Sequence, residues 1–143
     1  DTVKVIEQNA FVRCSLNYIR MPRRLKELGS YAFYSSALKK ITVYGKVELG
    51  ETFKYCKKLK TVVLKEGVKE LGELVFHQCP KLRSVTVPKS VKSLVCIYDN
   101  IFYYRGLKCN LSKLTIKTPK NSEMYRYRKF WKKQYKIKVK VIK

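Results

Sequence analysis

Hydrophobic positions recur along the chain with a period of 20 to 26 residues. Each unit opens on a phenylalanine, and successive ones are separated by 22, 20, 23 and 26 residues: Phe11, Phe33, Phe53, Phe76 and Phe102. In the first four units a small residue follows three positions later: Cys14, Ser36, Cys56 and Cys79. In a solenoid each repeat buries its apolar face only against its neighbours, and a fixed period of this length predicts such a stack, with about five rungs.

Each unit continues with the segment L-x-x-[IVL]-x-[VIL], as at Leu38, Ile41 and Val43. Alternation with a period of two is typical of a half-buried strand, and a period near twenty built on this segment is the signature of a leucine-rich repeat. Consecutive rungs then place their strands side by side, about 4.7–4.9 Å apart. The predicted fold class is an α/β leucine-rich repeat solenoid with a parallel sheet. Such a scaffold presents a surface and argues against an enclosed catalytic cleft.

The residues between the buried positions predict the chemistry of the exposed side of this sheet. Aligning the units gives a first outward column of Tyr18, Lys40, Thr61, Ser84 and Lys113, and a second of Arg20, Thr42, Val63, Thr86 and Thr115. A third column flanks the strands: Asn17, Lys39, Lys60, Arg83 and Ser112. We expect a polyanion or a protein partner to bind the basic residues of these columns: Lys39, Lys40, Lys60, Arg83, Lys113 and Arg20. The threonines have a simpler explanation, because β-branched ladders suit a pleated surface.

Residues 118–143 follow a different pattern and are predicted to form a C-terminal cap on repeats that occupy residues 1–117. A helix should begin after Pro119, with Asn121 or Ser122 as its N-cap. Helical spacing predicts a buried stripe: Met124, Tyr127, Trp131 and Tyr135. A final strand should follow, with lysines at 136, 138 and 140 alternating with apolar residues at 137, 139 and 141. Lysines on a last strand protect an exposed sheet edge, and we favour that role over anion binding.

Three linked motifs connect the repeats to a known family. A Leu-Gly pair precedes the phenylalanine at Leu28-Gly29, Leu49-Gly50 and Leu71-Gly72. Fuller copies run from Ala10-Phe11 to Met21-Pro22 and from Val75-Phe76 to Val87-Pro88. Together with the Thr118-Pro119 segment and Trp131, the chain resembles the BspA-like, or treponemal-type, leucine-rich repeat proteins over nearly its whole length. The fifth unit departs from the pattern, with an insertion between Val91 and Leu111.

The resemblance implies a non-enzymatic binding module of a microbial surface or secreted protein, in a family linked to adhesion, host-matrix attachment and cell–cell contact. The chain starts at Asp1 and leads almost directly into a repeat, without the polar cap that terminal repeats need. We therefore expect this sequence to be the C-terminal part of a longer protein, or a processed product.

Charge adds a second possibility. The chain has 33 Lys and Arg against 10 Asp and Glu, a formal net charge of +23. Such a surface attracts polyanions in general, so the expected partner is a protein or a polyanionic glycan. An intracellular nucleic-acid-binding solenoid that uses the same basic surface is the alternative, although no helix-turn-helix, zinc-finger or RNP-like motif is present. No stretch approaches the ~20 apolar residues that cross a bilayer, so membrane insertion is not expected.

Catalytic chemistry finds little support. His77 is the single histidine and is expected to be a solvated turn residue, and no hydrolase or phosphate-loop motif occurs. No catalytic residue, cofactor or metal site is therefore predicted; a divalent cation at the column Glu27, Glu48 and Glu70 is a weaker alternative. Because Ser36 takes the position of the repeat cysteines, Cys14, Cys56 and Cys79 are expected to be buried and free. Cys96 and Cys109 lie outside the repeat pattern, where an oxidising compartment would allow them to pair.

Overall fold

A computed structural model describes residues 2–94 and 111–143 of the chain. In those residues the rungs contribute short strands to three parallel sheets. The strands are β1 (Val5–Ile6), β2 (Glu27–Leu28), β3 (Lys40–Val43), β4 (Glu48–Leu49), β5 (Thr61–Leu64), β6 (Glu70–Leu71), β7 (Ser84–Thr86), β8 (Ser93–Leu94), β9 (Thr115–Thr118) and β10 (Lys138–Val141). A 3₁₀ helix spans Leu111–Lys113, and the cap contains α1 (Glu123–Arg126) and α2 (Arg128–Tyr135).

The largest sheet has five strands in the order β3-β5-β7-β9-β10, and every pair is parallel. The Leu-Gly segments form a second line of short strands, β4-β6-β8, and β1 pairs with β2. Because each rung adds one strand to a sheet, the predicted leucine-rich solenoid with a parallel sheet and a helix-and-strand cap is confirmed.

The core is a column of stacked phenylalanines. Successive ring centroids of Phe11, Phe33, Phe53 and Phe76 are 5.2, 5.8 and 6.0 Å apart, and the planes differ by 4°, 11° and 8°. Phe33 and Phe53 have no exposed surface, and Phe76 is 2% exposed. The prediction that these three rings form a buried spine between rungs is therefore confirmed.

The small residues after each phenylalanine form a second buried column. The thiol of Cys56 donates to the carbonyl of Phe33 at 3.0 Å, and the thiol of Cys79 donates to that of Phe53 at 3.1 Å. Each thiol thus satisfies a carbonyl of an earlier rung, and both cysteines are free and buried, as predicted. Cys14 is also free but only half-buried, so its predicted burial is wrong. Cys96 and Cys109 lie outside the described residues.

The cap packs its aromatic side against the end of the stack. Ser122 is the N-cap of α1, and its hydroxyl accepts a hydrogen bond from the amide of Tyr125 at 3.1 Å. Met124 and Trp131 are buried, while Tyr127 and Tyr135 are half-buried against the core, so the predicted stripe is confirmed in position. Strand β10 then pairs with β9 along its full length.

The structure corrects the sequence alignment at the first and last units. Residues 17–22 of the first unit form no strand, so Arg20 is exposed beside the large sheet and does not belong to it. Lys113 ends the 3₁₀ helix, and Thr115 takes its place beside Ser84. The fifth unit is therefore shifted by two residues from the predicted register.

Candidate binding surfaces

The outward side of the five-stranded sheet is a continuous surface across the rungs, and we call it the sheet face. Strand pairing defines two columns across it. They are Lys40, Thr61, Ser84, Thr115 and Lys138, and Thr42, Val63, Thr86, Lys117 and Lys140. These ten side chains include four lysines, and neither a carboxylate nor an aromatic ring. Three of the lysines come from the last two strands, so the positive charge of the sheet face increases towards the cap.

A line of basic residues flanks this face at the start of the strands. The amide of Lys60 donates to the carbonyl of Lys39 at 2.9 Å, and the amide of Arg83 donates to that of Lys60 at 2.9 Å. The structure thus brings together Lys39, Lys60 and Arg83, which we call the cation column. Both lysines are exposed. The guanidinium of Arg83 instead donates to the carbonyls of Pro80 and Leu82, at 3.0 and 2.9 Å, which holds it near the backbone.

A second basic surface lies at the end of the stack, where α2 meets β10. It is an open cleft of about 770 Å³, which we call the cap cleft. Its lining is Arg128, Lys129, Lys132, Lys133, Lys136, Ile137, Lys138 and Val139. Sequence reasoning assigned the lysines of the last strand to edge protection and did not identify this cleft as a site. The readable signal is the spacing of basic residues at 129, 132, 133 and 136, which is that of one helix face.

A polar cluster joins two rungs on the side of the phenylalanine turns. Glu51 accepts hydrogen bonds from the hydroxyl of Tyr31 and the ammonium of Lys54. Burial alone would raise the pKa of Glu51, but the hydrogen bonds from Lys54 and Tyr31 outweigh it and lower that pKa. The same hydrogen bond to Glu51 raises the pKa of Tyr31. The cluster therefore favours an ionised Glu51 beside a neutral Tyr31.

Replacing Glu51 with glutamine should make stability less dependent on acid pH. Because its pKa is lowered in the folded state, ionised Glu51 stabilises the fold. This stabilisation is fully present above the ordinary pKa of a glutamate and is lost as pH falls through the pKa of the folded state. At pH 7 we expect Glu51→Gln to reduce the free energy of unfolding by about 1 kcal/mol, because the groups are partly exposed. Below about pH 4 the difference from the parent should shrink towards zero.

Thermal unfolding of both proteins between about pH 3 and pH 7 measures this effect. Glu7→Gln, which changes an exposed glutamate in the first rung, is the matched control and should leave the melting temperature nearly unchanged. An equal loss of stability by Glu51→Gln at both ends of the pH range would contradict the assigned role of the carboxylate.

His77 lies in a turn, as expected, but it belongs to an aromatic contact, so the expectation that it is solvated is wrong. Its ring lies 5.4 Å from that of Tyr55 in an edge-to-face arrangement, and it is half-buried. Burial, followed by the positive charge of Lys54, lowers the pKa of His77. Among residues 2–94 and 111–143 no group of three or more His, Cys, Asp or Glu is placed to hold a metal ion.

Comparisons with known proteins agree with the repeat architecture. The sequence profile described as a BspA type leucine rich repeat region, built on six copies, matches residues 1–108 and 51–135. A crystal structure of a leucine-rich repeat protein from Bacteroides ovatus superposes with a TM-score of 0.63 and 26% sequence identity. The match covers 86% of this chain and 34% of that protein, so the chain spans about a third of its length. No curated protein sequence is significantly similar to the chain.

The described residues include no helix long and apolar enough to cross a membrane. Leucine-rich repeat regions of this type are in general non-catalytic modules that bind proteins. The stacked phenylalanines, the thiol column and the profile match over most of the sequence lead to one assignment: this chain belongs to the BspA-type leucine-rich repeat family.

Proposed function

We propose that the chain is an adhesion module of a microbial surface or secreted protein, and that it binds an acidic protein surface through the sheet face and the cation column. The observation that supports this most is the alignment of outward-facing side chains, half-buried except for four exposed lysines, across five parallel strands bordered by Lys39 and Lys60. A rigid scaffold that repeats one position at each rung offers a partner a regular array of contacts.

The area of the sheet face determines how a partner has to bind. Five strands about 4.8 Å apart, each with three or four residues at about 3.3 Å, cover only some 300 Å². A stable interface buries about 800 Å² on each partner. A partner must therefore extend beyond the strands, and the cation column is the adjacent surface with the matching charge. Binding through the sheet face alone would be weak and transient.

The chemistry of the sheet face favours a folded acidic partner over a nucleic acid. Its columns combine small hydroxyl groups with lysines and contain no aromatic ring on which a base could stack. Threonine and serine hydroxyls donate and accept hydrogen bonds equally well, so they suit a protein surface with mixed polar groups. The exposed lysines supply charge complementarity, which speeds association and weakens with salt.

Charge reversal on the sheet face tests the proposal. The probe is an immobilised extracellular-matrix protein extract from which heparinase has removed the sulfated glycans. Lys39→Glu/Lys40→Glu/Lys60→Glu should reduce the bound amount by about tenfold at ~0.15 M salt, because all three side chains are exposed and face one partner. Lys4→Glu/Lys57→Glu/Lys58→Glu changes the charge equally at exposed positions elsewhere, and should change binding less than about twofold.

Two results would overturn the proposal. One is equal binding by the sheet-face variant and its control. That result would mean that the partner binds elsewhere or that binding depends only on the net charge of the protein. The other is the failure of the parent to bind any protein of the digested extract. Melting temperatures of all three proteins should agree, because the changed side chains are exposed.

A further inference from the structure

We propose that the cap cleft, which shares Lys138 with the sheet face, binds a sulfated glycan chain mainly through the basic residues of α2. The cleft has the volume of a ligand pocket, about 770 Å³, and six of its eight lining residues are basic. Pockets for small ligands commonly measure about 300–1,000 Å³, so a few sugar units fit.

The local structure of α2 gathers the charge on one side of the helix. Lys129, Lys132 and Lys133 have the spacing at which helical side chains are neighbours, and all three are exposed. Lys136 extends the row because it caps α2 in a left-handed conformation, at φ 59°, with its amide bonded to the carbonyl of Lys132 at 3.1 Å. Lys138 of β10 adds a cation from the strand.

Buried side chains and the contacts of Arg128 anchor this row to the protein. Trp131 is 3% exposed, and Ile137, directly before β10, has no exposed surface. Arg128 lies with its guanidinium carbon 4.2 Å from the ring centroid of Tyr125 and donates to the carbonyl of that residue at 3.1 Å. The lysines therefore project from a fixed backbone, and a ligand does not have to order the helix when it binds.

These cations have no counter-charge within the cap. Residues 118–143 contain ten Lys and Arg and one glutamate, a net charge of +9, against +14 for the other 117 residues. That glutamate, Glu123, pairs with Arg126 at 2.7 Å and is not part of the cleft. Like charges at helix-neighbour spacing repel one another. A bound polyanion would relieve this repulsion. Protection of the sheet edge explains the lysines of β10 but does not require the row of lysines on α2.

The types of residue favour sulfate groups over nucleic acid. The lining has five lysines and one arginine, and lysine acts as a compact point charge without the planar fork that pairs with base edges. No aromatic side chain of the described residues lines the cleft, since Tyr127, Phe130 and Tyr135 of the cap pack against the core. Single-stranded nucleic acids rely on such rings for stacking. A sulfated glycan needs only closely spaced cations.

Binding of a heparin oligosaccharide at about 0.15 M salt tests the assignment. Lys129→Gln/Lys132→Gln/Lys133→Gln should raise the dissociation constant by about tenfold, since three exposed ionic contacts are lost. The matched control, Lys4→Gln/Lys57→Gln/Lys58→Gln, removes the same charge outside the cap and should change it less than about twofold. The cleft variant should melt no lower than the parent, because it removes like-charge neighbours.

Competition experiments separate the glycan from other polyanions. Chemically desulfated heparin should not displace the oligosaccharide, and duplex DNA with the same number of charges should compete about tenfold less well. Equal loss of binding in the cleft variant and its control would overturn the proposal, since retention would then depend on net charge alone. Equal competition by DNA would mean that the ligand of the cap cleft is a nucleic acid and not a sulfated glycan. Neither outcome affects the sheet face, whose own test uses glycan-free protein.

Discussion

Replacing Phe53 with alanine should lower the free energy of unfolding by about 3–5 kcal/mol, the cost of truncating a fully buried phenylalanine. Phe53 is an inner ring of the described column, with Phe33 and Phe76 on either side at 5.8 and 6.0 Å. Its side chain has no exposed surface, so its truncation would leave a cavity between neighbouring rungs. The cavity would also separate the rungs on which cooperative stability of a solenoid depends.

Phe11→Ala is the matched control for this prediction. Phe11 belongs to the same column and lies 5.2 Å from Phe33, but it is half-buried at the end of the stack and has only one described neighbour in the column. Its loss should cost less than half as much, about 1–2 kcal/mol. Urea unfolding followed by circular dichroism measures both. Equal destabilisation by the two variants, or a Phe53→Ala protein that melts within a few degrees of the parent, would contradict the assignment of the spine.

The structure of the second, third and fourth units could be predicted because all of their sequence motifs indicate the same register. In the second, third and fourth units the phenylalanine, the small residue and the L-x-x-[IVL] segment recur together. The predicted alignment of Lys40, Thr61 and Ser84 is the register that the strands adopt. The cation column followed from the same alignment, and its backbone hydrogen bonds agree with it.

The fifth unit could not be aligned because a polar residue occupies an apolar position. In strand β9, Ile116 lies beside Val85, and the polar Thr118 occupies the next buried position. The sequence alignment placed only apolar residues at the buried positions and was therefore out of register. A buried hydroxyl is tolerated here because the Thr118 and Ser122 hydroxyls lie 2.6 Å apart and share a hydrogen bond. Ser122 is also the N-cap of α1. The polar Thr118 is therefore accommodated in the strand because the helix starts next to it.

The backbone conformation of the turns could not be predicted from the sequence either. The second residue after each of the four phenylalanines of the described column has a positive φ, between 53° and 63°, although none is a glycine: Arg13, Ser35, Tyr55 and Gln78. In the first three units its amide donates to a carbonyl of the next rung, as from Tyr55 to His77 at 2.7 Å. Bonds between rungs therefore impose the conformation, and the identity of the residue gives no signal. The cap cleft was missed for a different reason: the helical row and the final strand could both be predicted from the sequence, but not that the two meet to form one cleft.

Trp131→Ala should have the second large effect, because it removes the side chain that holds the cap together. The indole ring is buried and lies 5.4 Å from the ring of Phe130 and 5.9 Å from that of Tyr135. We expect a loss of about 3–5 kcal/mol in the free energy of unfolding. Gln134→Ala, at an exposed position of the same helix, should stay within about 0.5 kcal/mol of the parent.

The consequence of Trp131→Ala should extend beyond stability. Strand β10 covers the edge of β9 and presents Lys138 and Lys140 outward, so it replaces an open sheet edge with a charged one. When the cap loosens, the backbone groups of Thr115–Thr118 become available for pairing with another chain. Size-exclusion chromatography with light scattering should therefore show concentration-dependent association of Trp131→Ala, increasing with salt as repulsion between chains is screened. If this variant stays in the same association state as Gln134→Ala at every protein and salt concentration, β10 does not protect the edge.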